Sequence, residues 1–238
     1  MGTSGIRYQV PPRASRWSPG CPDSRTHAPT SLSIGAPWNR EARTVPHRSG
    51  GVAAVAVTAC FQPEARTVRN YESLFIPGLA QTESYARTVI KGVLPTAGQK
   101  AIGQRVRVRM ERQALLSKED PLRLWAIVDE AAVRRTVGSR EVMREQALRL
   151  VEEPHITFQV IPFDKGAHVG LSGSFVRMDF PDPSDPEAVY VDTRAGDVFL
   201  ESEPELRHCK SMFEHLQAVA MGPNDSADLL TKVAEARD

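Results

Sequence analysis

The pattern of apolar and polar residues changes near residue 60 of this 238-residue chain. Beyond that point, apolar side chains recur three and four residues apart in several stretches, which is typical of amphipathic helices. Ser and Thr residues stand at the starts of two of these stretches, where a side-chain oxygen can cap the first turn. We predict a helix after Thr82, a second over about residues 100–116, and a third from Ser139 to Glu153.

The following part of the chain has the composition of β-strands. A buried strand is predicted at 122–128, with a short helical turn after it, and further strands are rich in β-branched and aromatic residues separated by Gly, Pro and Asp. These further strands are expected at 156–163, 174–180, 188–192 and 198–201. Two helices, from about Ser202 and Ser226, close the chain.

Helices on both sides of a run of strands favour an α+β fold over a doubly wound parallel one. We therefore predict a central, mostly antiparallel sheet of about four to five strands, flanked by N-terminal and C-terminal helices.

Residues 1–60 differ in kind from the rest, being crowded with Pro, Gly, Ser and Arg in no periodic order. They contain seven arginines, one aspartate and one glutamate, a net charge of +5, which leaves −4 for the remainder because the chain carries +1. Such a segment buries too little apolar surface to offset its conformational entropy. We expect a disordered or non-native leader at 1–60 and one folded domain at 61–238, with a nucleic-acid-binding arm as the alternative for the leader.

Composition narrows the class of protein further. The three cysteines show no CxxC or Cys/His spacing, so neither a disulfide framework nor a zinc site is indicated, and no cofactor motif is present. The longest apolar run, 51–60, is about half of what a membrane-spanning helix needs. The expected protein is soluble and cytoplasmic, and it binds no metal, cofactor or membrane.

Three arginines of the second predicted helix are the first candidates for chemistry. Arg105, Arg109 and Arg112 fall on one arc beside its apolar stripe, so we expect them to be half-buried. Guanidinium groups in that position either pair with internal carboxylates, here Asp129 and Glu130, or bind an anionic ligand. The sequence does not decide between internal ion pairs and an anionic ligand.

A second set of candidates follows the first predicted strand. Asp129 and Glu130 lie where that strand ends, and His168 stands in a glycine-rich connector from Phe163 to Gly173. Ser172 and Ser174 are near His168 in sequence, but no G-x-S-x-G elbow is present. A small hydrolase or acyl-transfer enzyme that uses Asp129, Glu130 and His168 is therefore the alternative to a binding function.

Five motifs in order along the chain resemble a known family. They are Ile76-Pro77-Gly78-Leu79-Ala80-Gln81-Thr82, Arg109-Met110-Glu111-Arg112-Gln113, Asp129-Glu130-Ala131-Ala132-Val133, Val160-Ile161-Pro162-Phe163, and Gly166-Ala167-His168 with Gly173-Ser174-Phe175. This pattern resembles the C-terminal domain of unknown function 5753 found in actinobacterial XRE-type helix-turn-helix transcriptional regulators. The resemblance implies a regulatory domain that senses a ligand or binds a protein, not an enzyme.

The resemblance also shows a departure, because the family places a DNA-binding helix-turn-helix ahead of these motifs. Residues 1–60 show no pair of amphipathic helices joined by a turn. We therefore expect no specific DNA binding by this chain alone. The expected partner is a small molecule or a protein, and a homodimer is compatible with it. The predicted ligand-binding residues are Arg109, Arg112, Gln113, Asp129, Glu130 and His168.

Overall fold

A computed structural model describes residues 65–182, 187–193, 196–200 and 202–235 of the chain. The predicted leader at 1–60 lies outside these residues. Within them, no helix is long and apolar enough to cross a bilayer.

One six-stranded sheet is formed by the described residues, with strand order β3-β2-β1-β4-β5-β6. β1, β2 and β3 pair in parallel, whereas β4, β5 and β6 continue the sheet from β1 through three antiparallel pairings. The strands are β1 (Thr67–Glu72), β2 (Arg123–Asp129), β3 (Ile156–Ile161), β4 (Phe175–Asp179), β5 (Ala188–Thr193) and β6 (Gly196–Leu200).

The helices begin at the residues that their capping chemistry indicates. Thr82 and Ser139 accept hydrogen bonds from the amides of Tyr85 and Val142, so both predicted N-caps are confirmed. Ser202 precedes the first of the two closing helices, which has Pro204 in its first turn. The helices are α1 (Glu83–Val93), α2 (Gln99–Gln113), α3 (Glu130–Arg134), α4 (Arg140–Glu152), α5 (Glu203–Val219) and α6 (Pro223–Glu235).

The fold class α+β fits, but the predicted sheet of four to five strands was too small. The strand that the sequence did not reveal is β1, whose residues Thr-Val-Arg-Asn-Tyr-Glu carry only two large apolar side chains. It lies in the middle of the sheet and joins the parallel half to the antiparallel half. Helices therefore also connect strands, with α1 and α2 between β1 and β2, and α3 and α4 between β2 and β3.

Both faces of the sheet are covered. On one face the larger core packs α1, α4 and α6 against strand residues such as Val68, Leu124 and Met178. On the other face α5 covers Tyr71 and Ile127 through Phe213. Because successive residues of a strand point to opposite faces, Tyr71 and Glu72 at the end of β1 belong to different layers. This alternation divides the functional candidates into two groups.

Candidate functional site

The candidate residues gather at the edge of the sheet where the three parallel strands end, here called the carboxyl edge. β1, β2 and β3 finish there at Glu72, Asp129 and Ile161. The connector, residues 163–173, leaves β3 at this edge and returns to it, because Phe175 at the start of β4 pairs with Tyr71. Crevices at the carboxyl ends of parallel strands are frequent ligand sites in sheets with helices on their faces.

Two adjacent acids at the end of β2 hold the connector. Glu130 is almost fully buried, and its Oε2 accepts a hydrogen bond of 2.8 Å from the amide of Phe163, while its Oε1 accepts one of 2.5 Å from Arg134. Asp129 Oδ2 lies 3.3 Å from Nε2 of His168, and its Oδ1 caps α3 through the amide of Ala131 at 2.8 Å. The two carboxylates face different partners, so they do not form a facing acid/base pair.

His168 has both ring nitrogens engaged inside the protein. The amide of Gly170 donates to Nδ1 at 3.2 Å, which leaves the proton of a neutral ring on Nε2, facing Asp129. The side chain is 5% exposed. A general base needs a nitrogen that can reach the proton it removes, and this histidine offers none without breaking one of its contacts. Its arrangement fits a residue that holds the connector in place.

Tyr71 lies under the connector and carries an unusual polar group. Its side chain is fully buried, its ring is edge-on to that of His168, and no described residue accepts or donates a hydrogen bond at its hydroxyl. Burial, together with the charges of Asp129 and Glu72, raises the pKa of the phenol. The hydroxyl therefore stays protonated at all physiological pH values.

The turn that follows β1 is fixed by glutamine side chains. Gln81 donates to the carbonyl of Ile76 at 2.6 Å, and Gln113 donates to the carbonyl of Gln81 at 2.6 Å. Gln146 bridges the same turn by donating to the carbonyl of Ala80 and accepting from the amide of Thr82, both at 2.8 Å. Buried backbone groups that strand pairing does not reach are thereby satisfied. Gln113, a predicted ligand residue, is a member of this network.

Arg109 and Arg112 of α2 lie on the opposite side of the sheet from Tyr71, on the layer of Glu72. Arg109 donates to Oε1 of Gln81 at 2.6 Å and is attracted by Glu72. The pKa of Arg112 is affected in opposite directions by two neighbours, because Tyr190 of β5 raises it and Arg109 lowers it. Burial first, and the charge of Arg109 second, lower the pKa of Arg112 to about 10. Two partly buried cations of α2 therefore lie close enough for the charge of Arg109 to lower the pKa of Arg112.

The strand side of this region is polar as well. Burial raises the pKa of Glu72 to about 7, with a contribution from Asp192, while hydrogen bonds to Ser174 and Asn70 and the charge of Arg109 oppose the shift. Asn70 is 7% exposed, and its Oδ1 has no hydrogen-bond partner among the described residues. The Nε atom of Arg109 is also buried and has no hydrogen-bond partner among the described residues, although the Arg109 side chain as a whole is only partly buried. We call Asn70, Glu72, Arg109, Arg112 and Tyr190 the arginine site.

The structure therefore separates the residues predicted from the sequence into two groups. It brings His168 to Asp129 and the connector to Glu130, and it brings Arg109 to Glu72 and to Gln81, the residue that Gln113 also holds. All three arginines of the predicted arc are partly buried, as expected. Asp129 and Glu130 were the carboxylate partners in one of the two alternatives; the acid that attracts Arg109 is instead Glu72.

Four residues of the sites were not predicted: Asn70, Tyr71 and Glu72, together with Tyr190. The first three belong to β1, the strand that the sequence did not reveal. Tyr190 lay on a predicted strand, but no sequence motif around it indicated a site. To predict this strand from the sequence, Asn70 and Glu72 would have had to be assigned to the same face of it as the buried Val68.

Searches among curated proteins and among solved structures found no match. A protein-family model matches residues 56–232, which includes every described strand and both candidate groups. The chain belongs to the family of the Domain of unknown function (DUF5753).

Proposed function

We propose that the domain is the regulatory, ligand-sensing part of an XRE-type transcriptional regulator, and that it binds a small molecule at the arginine site. The observation that carries this proposal is the buried Nε of Arg109, which has no hydrogen-bond partner among the described residues and belongs to a cation that lowers the pKa of Arg112. Bringing like charges together in a partly buried place costs free energy. A bound anion would offset that cost, which makes the pair suited to a ligand that comes and goes.

A binding role is favoured over catalysis by the state of the connector residues. His168 uses both ring nitrogens within the protein, and Glu130 is committed to Arg134 and the amide of Phe163. An acyl-transfer enzyme would need a base beside a nucleophile, both open to substrate. Ser174 near this edge instead hydrogen-bonds Glu72 and accepts from the amide of Ser73. The same residues are better suited to joining the connector to the sheet.

Sensing also requires a part that can change, and the connector supplies one. It reaches the sheet through the Glu130 and His168 contacts and exposes Phe163 and Leu171 to solvent. The strand residues Tyr71 and Glu72 are neighbours on β1, one under the connector and one in the arginine site. A ligand that shifts Glu72 can therefore alter how the connector lies on Tyr71, and a partner would read that change.

Inorganic phosphate is a suitable first probe, and the full chain is the protein to test. Phosphate should raise the thermal midpoint of the wild type at constant ionic strength, because it binds the folded state alone. Arg112→Ala should weaken this binding by about 1.5–3 kcal/mol, the value of a charge-assisted hydrogen bond. Arg107→Ala is the matched control, since Arg107 is on the same helix and 69% exposed. Equal phosphate effects in the wild type and Arg112→Ala would reject the arginine site.

A further inference from the structure

The arginine site contains two unsatisfied atoms of opposite hydrogen-bonding kind. Nε of Arg109 is a donor and Oδ1 of Asn70 is an acceptor, and both are buried without a described partner. Glu72 links them, because it hydrogen-bonds the Asn70 side chain and attracts Arg109. An unpaired buried group costs about 1–3 kcal/mol, so two of them around one carboxyl destabilise the folded protein. A bound molecule that pairs with both would remove this cost.

The two walls of the site also differ in charge. The wall formed by α2 carries Arg109 and Arg112, which favour an anionic group. The wall formed by the strands carries Oδ1 of Asn70 and the carboxyl of Glu72, and Asp192 adds a second negative charge near Glu72. These groups favour a hydrogen-bond donor, charged or neutral. One ligand that meets both walls needs both kinds of group.

We infer that the ligand of the arginine site is a small amphoteric molecule, with a carboxylate or phosphate that binds Arg109 and Arg112 and an amine or hydroxyl that donates to Asn70. The inference rests on the proposed function and specifies the chemistry of its ligand. The anionic end alone would satisfy Arg109 and leave Oδ1 of Asn70 unpaired. A ligand with both groups removes both unpaired atoms and is therefore preferred.

Two probes with the same three-carbon chain, one with an added amine, separate the two ends of the ligand. β-Alanine carries a carboxylate and an amine, whereas propionate carries the carboxylate alone. Both are used at about 10–50 mM with the full chain, because molecules of this size bind weakly. β-Alanine should bind about fivefold more tightly than propionate, the effect of one net hydrogen bond, as measured from the shift of the thermal midpoint with concentration.

Asn70→Leu is the matching variant, because leucine has a similar shape and no acceptor. It should bind propionate as the wild type does and lose the preference for β-alanine. Leucine also lacks the amide that donates to Glu72, so the ligand-free melting midpoint of the variant is expected to fall for that reason and does not measure the preference.

The outcomes distinguish this inference from the proposed function. If phosphate protects the wild type but β-alanine binds no better than propionate, the amphoteric ligand is wrong and the anion site stands. If neither phosphate nor either organic probe protects the wild type, both proposals fail. A preference for β-alanine that persists in Asn70→Leu would place the donor against another residue and overturn the assignment to Asn70.

Discussion

Gly170 of the connector lies against the ring of Tyr71 so closely that a Cβ atom on it would stand 2.3 Å from Cζ of the ring. Tyr71 is fully buried, so its ring has little free space to move into. We predict that Gly170→Ala moves the connector or the ring and costs about 1–3 kcal/mol, as overpacking usually does. Urea unfolding of the two proteins measures the loss.

The control for this variant is Gly103→Ala. Gly103 is inside α2, and a Cβ atom there would have nothing within 4 Å. Alanine favours a helix interior over glycine by about 0.8–1.0 kcal/mol, so Gly103→Ala should be neutral or stabilising. Equal effects of the two substitutions would mean that Gly170 is not in contact with Tyr71.

Gln146 supports the turn after β1 through both atoms of its amide. Gln146→Ala leaves the carbonyl of Ala80 and the amide of Thr82 without their partner, in a buried place. We expect a loss of about 2–4 kcal/mol in the free energy of unfolding, since each orphaned group costs about 1–3 kcal/mol. Arg144→Ala, at an exposed position of α4, should change it little. A small loss for Gln146→Ala would mean that water replaces the amide.

Several elements could be predicted from the sequence because their signals are local. Thr82 and Ser139 were identifiable as caps, since a side-chain oxygen before an amphipathic run satisfies backbone amides within the next few residues. β2 and β3 were predicted near their true bounds because a buried strand needs a run of apolar residues. The arginines of α2 were placed as half-buried from their angle on the helix alone.

β1 and the division into two sites could not be predicted, because they depend on contacts between residues that are far apart in the sequence. β1 has Arg69 and Asn70 in its middle, and such residues suit a strand only because Arg69 reaches Asp179 and Asn70 reaches Glu72. The division into two sites depended on the same strand, since its alternation sends Tyr71 and Glu72 to opposite faces. No pattern near Arg109 indicates that Glu72, and not Asp129, is the acid that attracts it.

The two contacts between connector and β2 can be tested by hydrogen exchange. His168→Ala removes the contacts to Asp129 and to the amide of Gly170, whereas Glu130→Gln weakens the one to the amide of Phe163. Each variant should speed exchange of the connector amides and leave those of β2 and β3 unchanged, because only local opening is affected. His215→Ala, at an exposed position of α5, is the control. Unchanged connector exchange in His168→Ala would show that the histidine does not hold it.

From the raised pKa of Glu72 we expect an unusual dependence of the protein's stability on pH. Its pKa is raised from 4.5 to about 7, mainly by burial, so the folded state holds a proton that the unfolded state has lost between these values. The free energy of unfolding should therefore fall as pH rises through this window. The contribution of Glu72 to it should be lowest above pH 7. Glu72→Gln keeps the shape without the charge, so it should abolish this fall and raise stability at pH 8 by about 1–2 kcal/mol after allowance for partial exposure.

Glu187 provides the control of opposite sign. Its hydrogen bond with Arg177 lowers its pKa, so its contribution is present at neutral pH and is lost as pH falls. Glu187→Gln should therefore destabilise the protein at pH 8, where Glu72→Gln stabilises it. Urea unfolding from pH 4.5 to pH 8 separates the two. If Glu72→Gln destabilises the protein at pH 8, the attraction between the ionised Glu72 and Arg109 outweighs the cost of burying the carboxylate. That result would turn the arginine site into an internal ion pair.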